Sequence, residues 1–530
     1  MRRAARWEIP SPDSQPVAEL ARSLGIQAPA ARVLWNRGYR DADAARRFLS
    51  PTLDDLFDPM RLRDMDLAVE RLHRAITGRE KILLYGDYDV DGTMSVVILK
   101  KTIELAGGTA GFHVPHRLRE GYGMRPEVVE QAAAEGVTLI VSVDTGVRAS
   151  EVVRHARQLN IDCIITDHHL PEEELPPALA VLNPNRFDCL YPEKNLCGAG
   201  VTFKLIQALL ARCGWSQERV RKVCESLLKL VAIATVADVV PLTGENRVIV
   251  KRGLEGLADV RNSGLRALLD RAGFKDGEAP SAGQIAFRVA PRINAAGRMD
   301  NAADVVELFL TSDGARAGEL ADRLQLLNDD RRAVEQDITQ IILEQCLAQP
   351  VSDDQFGLVF SGADWHRGVV GIVASRVVEQ YHRPSFVISE DPTTGLAQGS
   401  GRSIPAFHLL QALESMAELF VKFGGHRQAA GVTLPADRVC EFRRRFNEYA
   451  AANLTHDDLT PVVHADSFLD LQEVNNQSVA EVLTLAPFGF GNPSPLFAVR
   501  GAEVACPPVV WAEKHLRVSL RQNSRNLSVK

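Results

Sequence analysis

Three aspartates stand at alternate positions in Asp87-Tyr88-Asp89-Val90-Asp91-Gly92, directly after the apolar run Lys81 to Tyr85. On an extended segment alternate side chains point the same way, so the three carboxylates are expected to converge. Converging anions disfavour one another's charged form unless a cation offsets them. Hard divalent cations that take oxygen ligands, Mg²⁺ or Mn²⁺, meet that need. A solvated acidic turn is the plainer alternative, because Asp and Gly are ordinary turn formers. A calcium loop of the EF-hand type is excluded: counted from Asp87, Gly92 fits the sixth position, but Ile98 stands at the twelfth, where that loop needs Glu. Taken alone, the segment leaves metal site and acidic turn both open.

Two further apolar runs end in groups of the same kind. Leu139 to Val143 leads into Asp144-Thr145-Gly146, and Ile161 to Thr166 leads into Asp167-His168-His169. A later helix-compatible run, Leu227 to Val236, delivers Asp238 between apolar neighbours, where an acid is rarely left without a partner. Asp87, Asp89, Asp91, Asp144, His168 and Asp238 are the candidate metal ligands. Oxygen donors with one imidazole suit Mn²⁺ or Mg²⁺ better than a thiolate-preferring metal. Two ions roughly 3.5–4 Å apart can activate a water and stabilise a leaving oxygen, the need of a phosphoryl hydrolase. His169 is expected to orient His168 or to meet substrate phosphate.

The elements that must position these groups follow from the pattern. Helix-like stretches, Thr93 to Leu105, Pro126 to Glu135 and Ala149 to Leu159, alternate with the apolar runs at short connections, which predicts βαβ units and a parallel sheet. In such sheets functional groups collect beyond the carboxyl ends of the strands, so three strand ends can serve one crevice. Asp313 to Gln349 reads as a single long helix ended by Pro350, with Leu320, Leu324, Leu327, Val334, Ile338, Ile341 and Ile342 at helical spacing.

Asp87-Tyr88-Asp89-Val90-Asp91-Gly92, Asp144-Thr145-Gly146, Asp167-His168-His169 and Ala237-Asp238 resemble the four motifs of the DHH phosphoesterase superfamily and, within it, those of the RecJ exonuclease family. The resemblance extends to Pro115-His116-Arg117 with Glu120-Gly121-Tyr122-Gly123, and to Pro291-Arg292-Ile293-Asn294-Ala295-Ala296-Gly297-Arg298. Downstream it covers Trp365 to Ile372, Gly399-Ser400-Gly401-Arg402-Ser403 and Gly424-Gly425-His426 with Ala429-Ala430-Gly431, which look like the DHH-associated domain. It implies that Arg117 meets substrate phosphate, that Ser400 and Arg402 hold a 5′-terminal phosphate, and that His426 lies near the scissile bond. Arg292 and Arg298 are further candidate substrate contacts. One departure is Tyr85, where many members carry His four residues before the first liganding Asp.

The implied fold is α/β. A parallel-sheet DHH domain (1–312) is joined by the connecting helix (313–350) to a smaller α/β DHH-associated domain (351–450). An OB-like β-barrel follows over 451–530, expected to be partial because the family pattern continues with further strands. The implied activity is metal-dependent 5′→3′ exonucleolysis of single-stranded DNA to mononucleotides, with two Mn²⁺ or Mg²⁺ ions, in recombination and repair. Single-stranded-DNA-binding protein and a repair helicase are the implied protein partners. The alternatives are a DHH phosphodiesterase acting on short oligonucleotides and a non-catalytic DNA-binding scaffold; the four intact motifs disfavour the latter.

Composition sets outer limits. With 530 residues, 45% hydrophobic and 24% charged, the chain can bury several cores without staples. Eight cysteines without a C-x-x-C pair point to reduced thiols. The residues after Met1 lack an apolar signal region and no apolar run reaches membrane-span length, so a cytoplasmic protein is expected. A net charge of −7 places any nucleic-acid contact on local patches such as Arg117 with Arg119, Arg288 with Arg292 and Arg298, and Arg443 to Arg445.

Overall fold

The computed structural model describes residues 4–117, 119–511 and 515–530. A short strand β1 (Arg6–Glu8) leads into the helices Ser14–Leu24, Ala28–Asn36 and Ala42–Leu49. The central sheet is built from β2 (Lys81–Tyr85), β3 (Ala110–His113), β4 (Val137–Val143), β5 (Asp162–Thr166) and β6 (Ala180–Leu182), in the order β3-β2-β4-β5-β6 with every pair parallel. Its strands read as continuous apolar runs because both faces are covered. Leu84, Val141 and Ile164 pack on the helices Val90–Leu105 and Gly198–Arg212. Ile140, Ile165 and Val181, pointing the other way, pack on Pro126–Ala134 and Ser150–Gln158.

The helix Gly314–Ala348 is capped by Asp313, which accepts from Ala315 N–H at 2.8 Å. Leu320 and Leu324 in its first half belong to the core of the parallel sheet, whereas Ile338 and Ile342 in its second half belong to a separate core around Val369, Val373 and Val387. The second sheet comprises β7 (Leu358–Ala363), β8 (Ser385–Asp391), β9 (Leu396–Arg402), β10 (Lys422–Gly425) and β11 (Ala429–Pro435), ordered β10-β11-β9-β8-β7; only β7 and β8 run parallel. Phe386, Phe442 and Phe446 form its aromatic core with the helix Val439–Asn453.

The last strands correct one expectation. β12 (Val462–His464), inside the 451–530 stretch assigned to the OB-like barrel, instead pairs in parallel with β1 at the other end of the chain. Arg6-Trp7-Glu8 alternates over only three residues, too short a run to mark it as a partner strand. β13 (Ser467–Phe468) pairs with β14 (Phe497–Ala498). β15 (Glu503–Val504) and β16 (Val509–Trp511) share one edge of β17 (His515–Gln522), and β18 (Arg525–Val529) takes the other. Leu485, Phe488 and Phe497 pack with Leu20, Val33, Leu34 and Phe48, so the N-terminal helices and this segment form one core. The eight cysteines are free thiols.

Candidate metal centre and phosphate cleft

Beyond Tyr85 the chain makes one more ladder bond, Gly86 N–H donating to the His113 carbonyl at 2.9 Å, and then turns into the helix Val90–Leu105. Asp89 makes that turn: its Oδ1 accepts from Gly92 N–H at 3.0 Å as an N-cap. Asp91 therefore sits in the first helical turn, and the expectation that the three aspartates converge by strand alternation is corrected. They converge because the backbone folds back on itself; a Cβ on Gly92 would stand 2.6 Å from the Asp87 backbone nitrogen. A second helix fixes Asp91. Gly198 and Ala199, in the first turn of Gly198–Arg212, donate their N–H groups to its two carboxylate oxygens at 2.6 and 2.8 Å.

β4 delivers Asp144 in a left-handed conformation (φ 59°), and its N–H continues the ladder to Thr166 O at 2.8 Å. β5 delivers Asp167, which accepts from the N–H groups of Val147, His168 and His169 and, at 2.7 Å, from His169 Nδ1. Asp238 ends the helix Gln217–Ala237. These groups meet at His168, whose Nε2 lies 3.2 Å from Asp144 Oδ1, 3.7 Å from Asp238 Oδ2 and 3.8 Å from Asp91 Oδ2. Asp87, Asp89 and Asp144 form an adjoining group with ligand atoms within 4.8 Å of one another, so Asp144 is common to both halves of the cluster.

The electrostatics are those of a cation site. Burial, reinforced by Asp89, raises the Asp87 carboxyl well above its ordinary range. Burial with Asp91 and Asp89 does the same to Asp144, and burial with Asp91 raises Asp89. Burial, then Asp91 and Asp89, push Asp238 up to about 9. Burial holds His168 down, leaving a neutral ring able to offer a lone pair. Asp167 moves the other way. Burial opposes its charge, but the His169 hydrogen bond and charge win and its pKa is lowered, while His169 is raised by the same bond. Among the described residues Asp87 Oδ1, Asp144 Oδ1 and Asp238 Oδ2 are buried without a hydrogen-bond partner. Buried carboxylate oxygens are rarely left so, and a divalent ion is the partner that would satisfy all three.

A positively charged group lies against this cluster. Arg117 sits over the Tyr88 ring, 5.0 Å from its centroid. Arg298, at the end of the helix Ala290–Met299, donates to the Gly368 carbonyl at 3.1 Å across the junction between the two sheet domains. Burial, then Arg117 and Arg402, push its pKa down to about 10. Burial and Arg117 likewise lower Arg402. Ser400 and Arg402 alternate on β9, and a Cβ on Gly371 would lie 3.4 Å from the Ser400 hydroxyl and 3.2 Å from Arg402 Nη2, so the start of the helix Val370–Tyr381 abuts both. Burial, then Arg402 and His169, lower the pKa of His426. Arg117, Arg298 and Arg402 form no ion pair among the described residues, as suits guanidiniums kept for phosphate.

Arg292 is not brought to this cleft. It donates to Gln325 Oε1 at 2.7 Å and to the carbonyls of Arg288 and Arg271, tying its helix to the long connecting helix. Arg443, Arg444 and Arg445 are likewise engaged with Val359 O, Glu448 and Glu418.

Comparison with known proteins follows the same division. Residues 81–235 match the DHH family N-terminal domain, 353–452 the DHHA1 domain and 465–530 the RecJ OB domain. A "Single-stranded-DNA-specific exonuclease RecJ" of Dickeya dadantii is 39% identical over 95% of this chain and 88% of its own length. The chain belongs to the RecJ family. The RecJ of Bacillus subtilis is 38% identical over 98% of this chain, which spans 65% of that relative's length. The crystal structure of RecJ from Thermus thermophilus in complex with Mn²⁺ superposes with a TM-score of 0.84 at 31% identity, covering 99% of this chain and 74% of that one. A Mg²⁺ complex of the same RecJ is also similar. The unsatisfied carboxylates and the neutral His168 fit such ions, and the acidic and histidine groups are positioned to bind them.

The candidate ligands named from sequence are brought together here, but the residues that hold them were missed. Gly198 is one, since a Cβ there would stand 2.6 Å from Asp144 Oδ1. Asn183 and Asn185 donate to the His169 and His168 carbonyls at 2.8 and 2.6 Å. Asn294 accepts from Val90 N–H at 3.2 Å. The available signals were Asn183-Pro184-Asn185 directly after an apolar run and Gly198-Ala199-Gly200 opening a helix.

Proposed function

We propose that this chain is a metal-dependent exonuclease that degrades single-stranded DNA from its 5′ end to mononucleotides, with two divalent ions at the acidic cluster. The observation that carries the reading is the apposition of two opposite fields. Asp87, Asp89, Asp91, Asp144 and Asp238 lie beside Arg117, Arg298 and Arg402, which form no ion pair among the described residues, with Ser400 next to Arg402. A terminal phosphate bears more charge than an internal one, so this arginine wall favours a strand end. When bound, two ions supply water activation and stabilisation of the leaving oxygen.

The residues divide the remaining work. Asp144 serves both halves of the cluster, and Asp91 is held in place by two N–H groups. His168 stays neutral as a ligand, and Asp167 fixes the His169 proton on Nδ1, leaving Nε2 for substrate. In this reading 1–312 carries the chemistry, 313–350 is the strut, 351–450 grips the terminal phosphate and 451–530 holds strand beyond the cleft. Recombination and repair supply such ends, so a helicase and single-stranded-DNA-binding protein are the proposed partners. No helix among the described residues is long and apolar enough to cross a membrane, which accords with action on DNA in the cytoplasm.

A Mn²⁺ time course on single strands labelled at the 5′ or the 3′ end, beside a blunt duplex, tests the reading. Immediate release of labelled mononucleotide from the 5′ label, a shrinking ladder from the 3′ label and an inert duplex are expected. Loss of the 3′ label first, or hydrolysis confined to dinucleotides, overturns it.

A further inference from the structure

On the Asp238 side of the metal centre lies a cavity of about 630 Å³. Val236 and Val239, flanking Asp238, form one wall; Asn294 and Arg298 form another; the segment Phe488 to Ser494 closes it. The cavity adjoins the chemistry directly, because Asn294 holds Val90 N–H between Asp89 and Asp91, and Arg298 belongs to the arginine wall.

Two aromatic rings on the lining are left in the open. Phe287 is 80% exposed and Phe490 is 59% exposed. Among the described residues neither ring packs against another aromatic ring. Isolated exposed hydrophobics need no explanation, but two phenylalanines in one cavity beside a metal cluster do. Phe287 lies in a single π-helical turn, Ile285–Val289, a local irregularity found often at functional sites.

Phe490 stands on a segment that is fixed from every other direction. Its carbonyl accepts from Leu242 N–H at 2.8 Å. Gly491 has φ 71°, and a Cβ on it would lie 2.8 Å from Pro241 Cβ; a Cβ on Gly489 would lie 2.7 Å from a Leu242 methyl. Asn492, fully buried, donates to the Leu485 and Pro487 carbonyls at 2.9 and 2.8 Å and accepts from Arg37. A rigid backbone that presents a bare ring is a preorganised platform.

The geometry points to a base-stacking subsite in which Phe287 and Phe490 receive unpaired nucleobases of the strand held at the metal centre. The inference rests on the proposed single-strand nuclease activity and adds residues that set its strand preference. A ring face accepts any base, so the subsite is blind to sequence. A duplex keeps its bases paired and stacked, so it has none to offer. The strand preference is then enforced by stacking.

The test compares kcat/KM on an oligothymidylate with that on the same strand carrying abasic residues near its 5′ end. Wild type is expected to favour the strand with bases by about 5- to 150-fold, the range of one stacked base. Phe287→Ala with Phe490→Ala is expected to lower the intact-strand value toward the abasic one, which itself stays put, and Phe287→Trp is expected to restore the difference. An unchanged preference in the double variant, or an equal loss on both strands, overturns the subsite. Wild type that cleaves neither strand overturns the nuclease reading, and the subsite with it.

Discussion

Gly198→Ala isolates the way the fold builds its metal site. An alanine Cβ there would stand 2.6 Å from both Cβ and Oδ1 of Asp144 and 2.8 Å from its Cγ. Carbon atoms pack at about 3.5–4.0 Å, so Asp144 or the start of the helix Gly198–Arg212 must give way by about 1 Å. Either movement damages the centre. Moving Asp144 displaces the carboxylate common to both halves of the cluster, and moving the helix loosens the two N–H bonds to Asp91. Overpacking of this kind costs about 1–3 kcal/mol, which a chain with cores of this extent survives. A misplacement of about 1 Å at a reacting centre costs about 100-fold in rate. The variant should therefore fold, lose Mn²⁺ affinity in a calorimetric titration, and release mononucleotide about 100-fold more slowly. Gly200→Ala is the control, since the nearest atoms to its Cβ are those of the flexible Leu196 side chain, from 3.3 Å. Wild-type metal affinity and turnover in Gly198→Ala would refute the account.

Three further outcomes are expected. Asp87, Asp89, Asp144 and Asp238 have folded-state pKa values above the unfolded value of about 4, so the native metal-free protein holds protons that the unfolded chain releases. That stability is full at acid pH and lost as pH rises toward about 9; melting curves should show it, and Mn²⁺ should flatten the slope. Lys204→Met leaves Glu245, whose side chain is fully buried, without its cation, at a cost of about 3–5 kcal/mol by chemical denaturation; co-substitution of Glu245→Leu should recover part of it. Arg292→Gln should lower stability by about 1 kcal/mol with turnover within a few-fold of wild type, whereas Arg298→Gln should cost turnover heavily; the reverse ranking would return Arg292 to the substrate cleft.

Much of this was legible in residue order. Buried parallel strands advertise themselves as unbroken apolar runs, and acids placed directly after them are conspicuous because the surrounding residues are so apolar. Thus β2, β4 and β5 and the groups at their ends could be named, as could the connecting helix, whose periodicity persists over its whole length. Charge runs were poor guides. Arg443 to Arg445 and Arg292 look the same in sequence as Arg298 and Arg402, and only the structure shows which side chains each of them engages.

The sequence by itself determined which side chains are the candidates for the chemistry, since ligand type and charge are properties of residues and strand-end placement follows from local pattern. Tertiary structure alone decided how they meet. Asp89 and Asp91 converge through a cap and a helix turn rather than a strand, Gly198 matters because a Cβ on it would stand 2.6 Å from Asp144 of another segment, and β12 finds β1 from the far end of the chain. Close approach, shared hydrogen bonds and burial depend on separations through space, and the local sequence pattern did not reveal them.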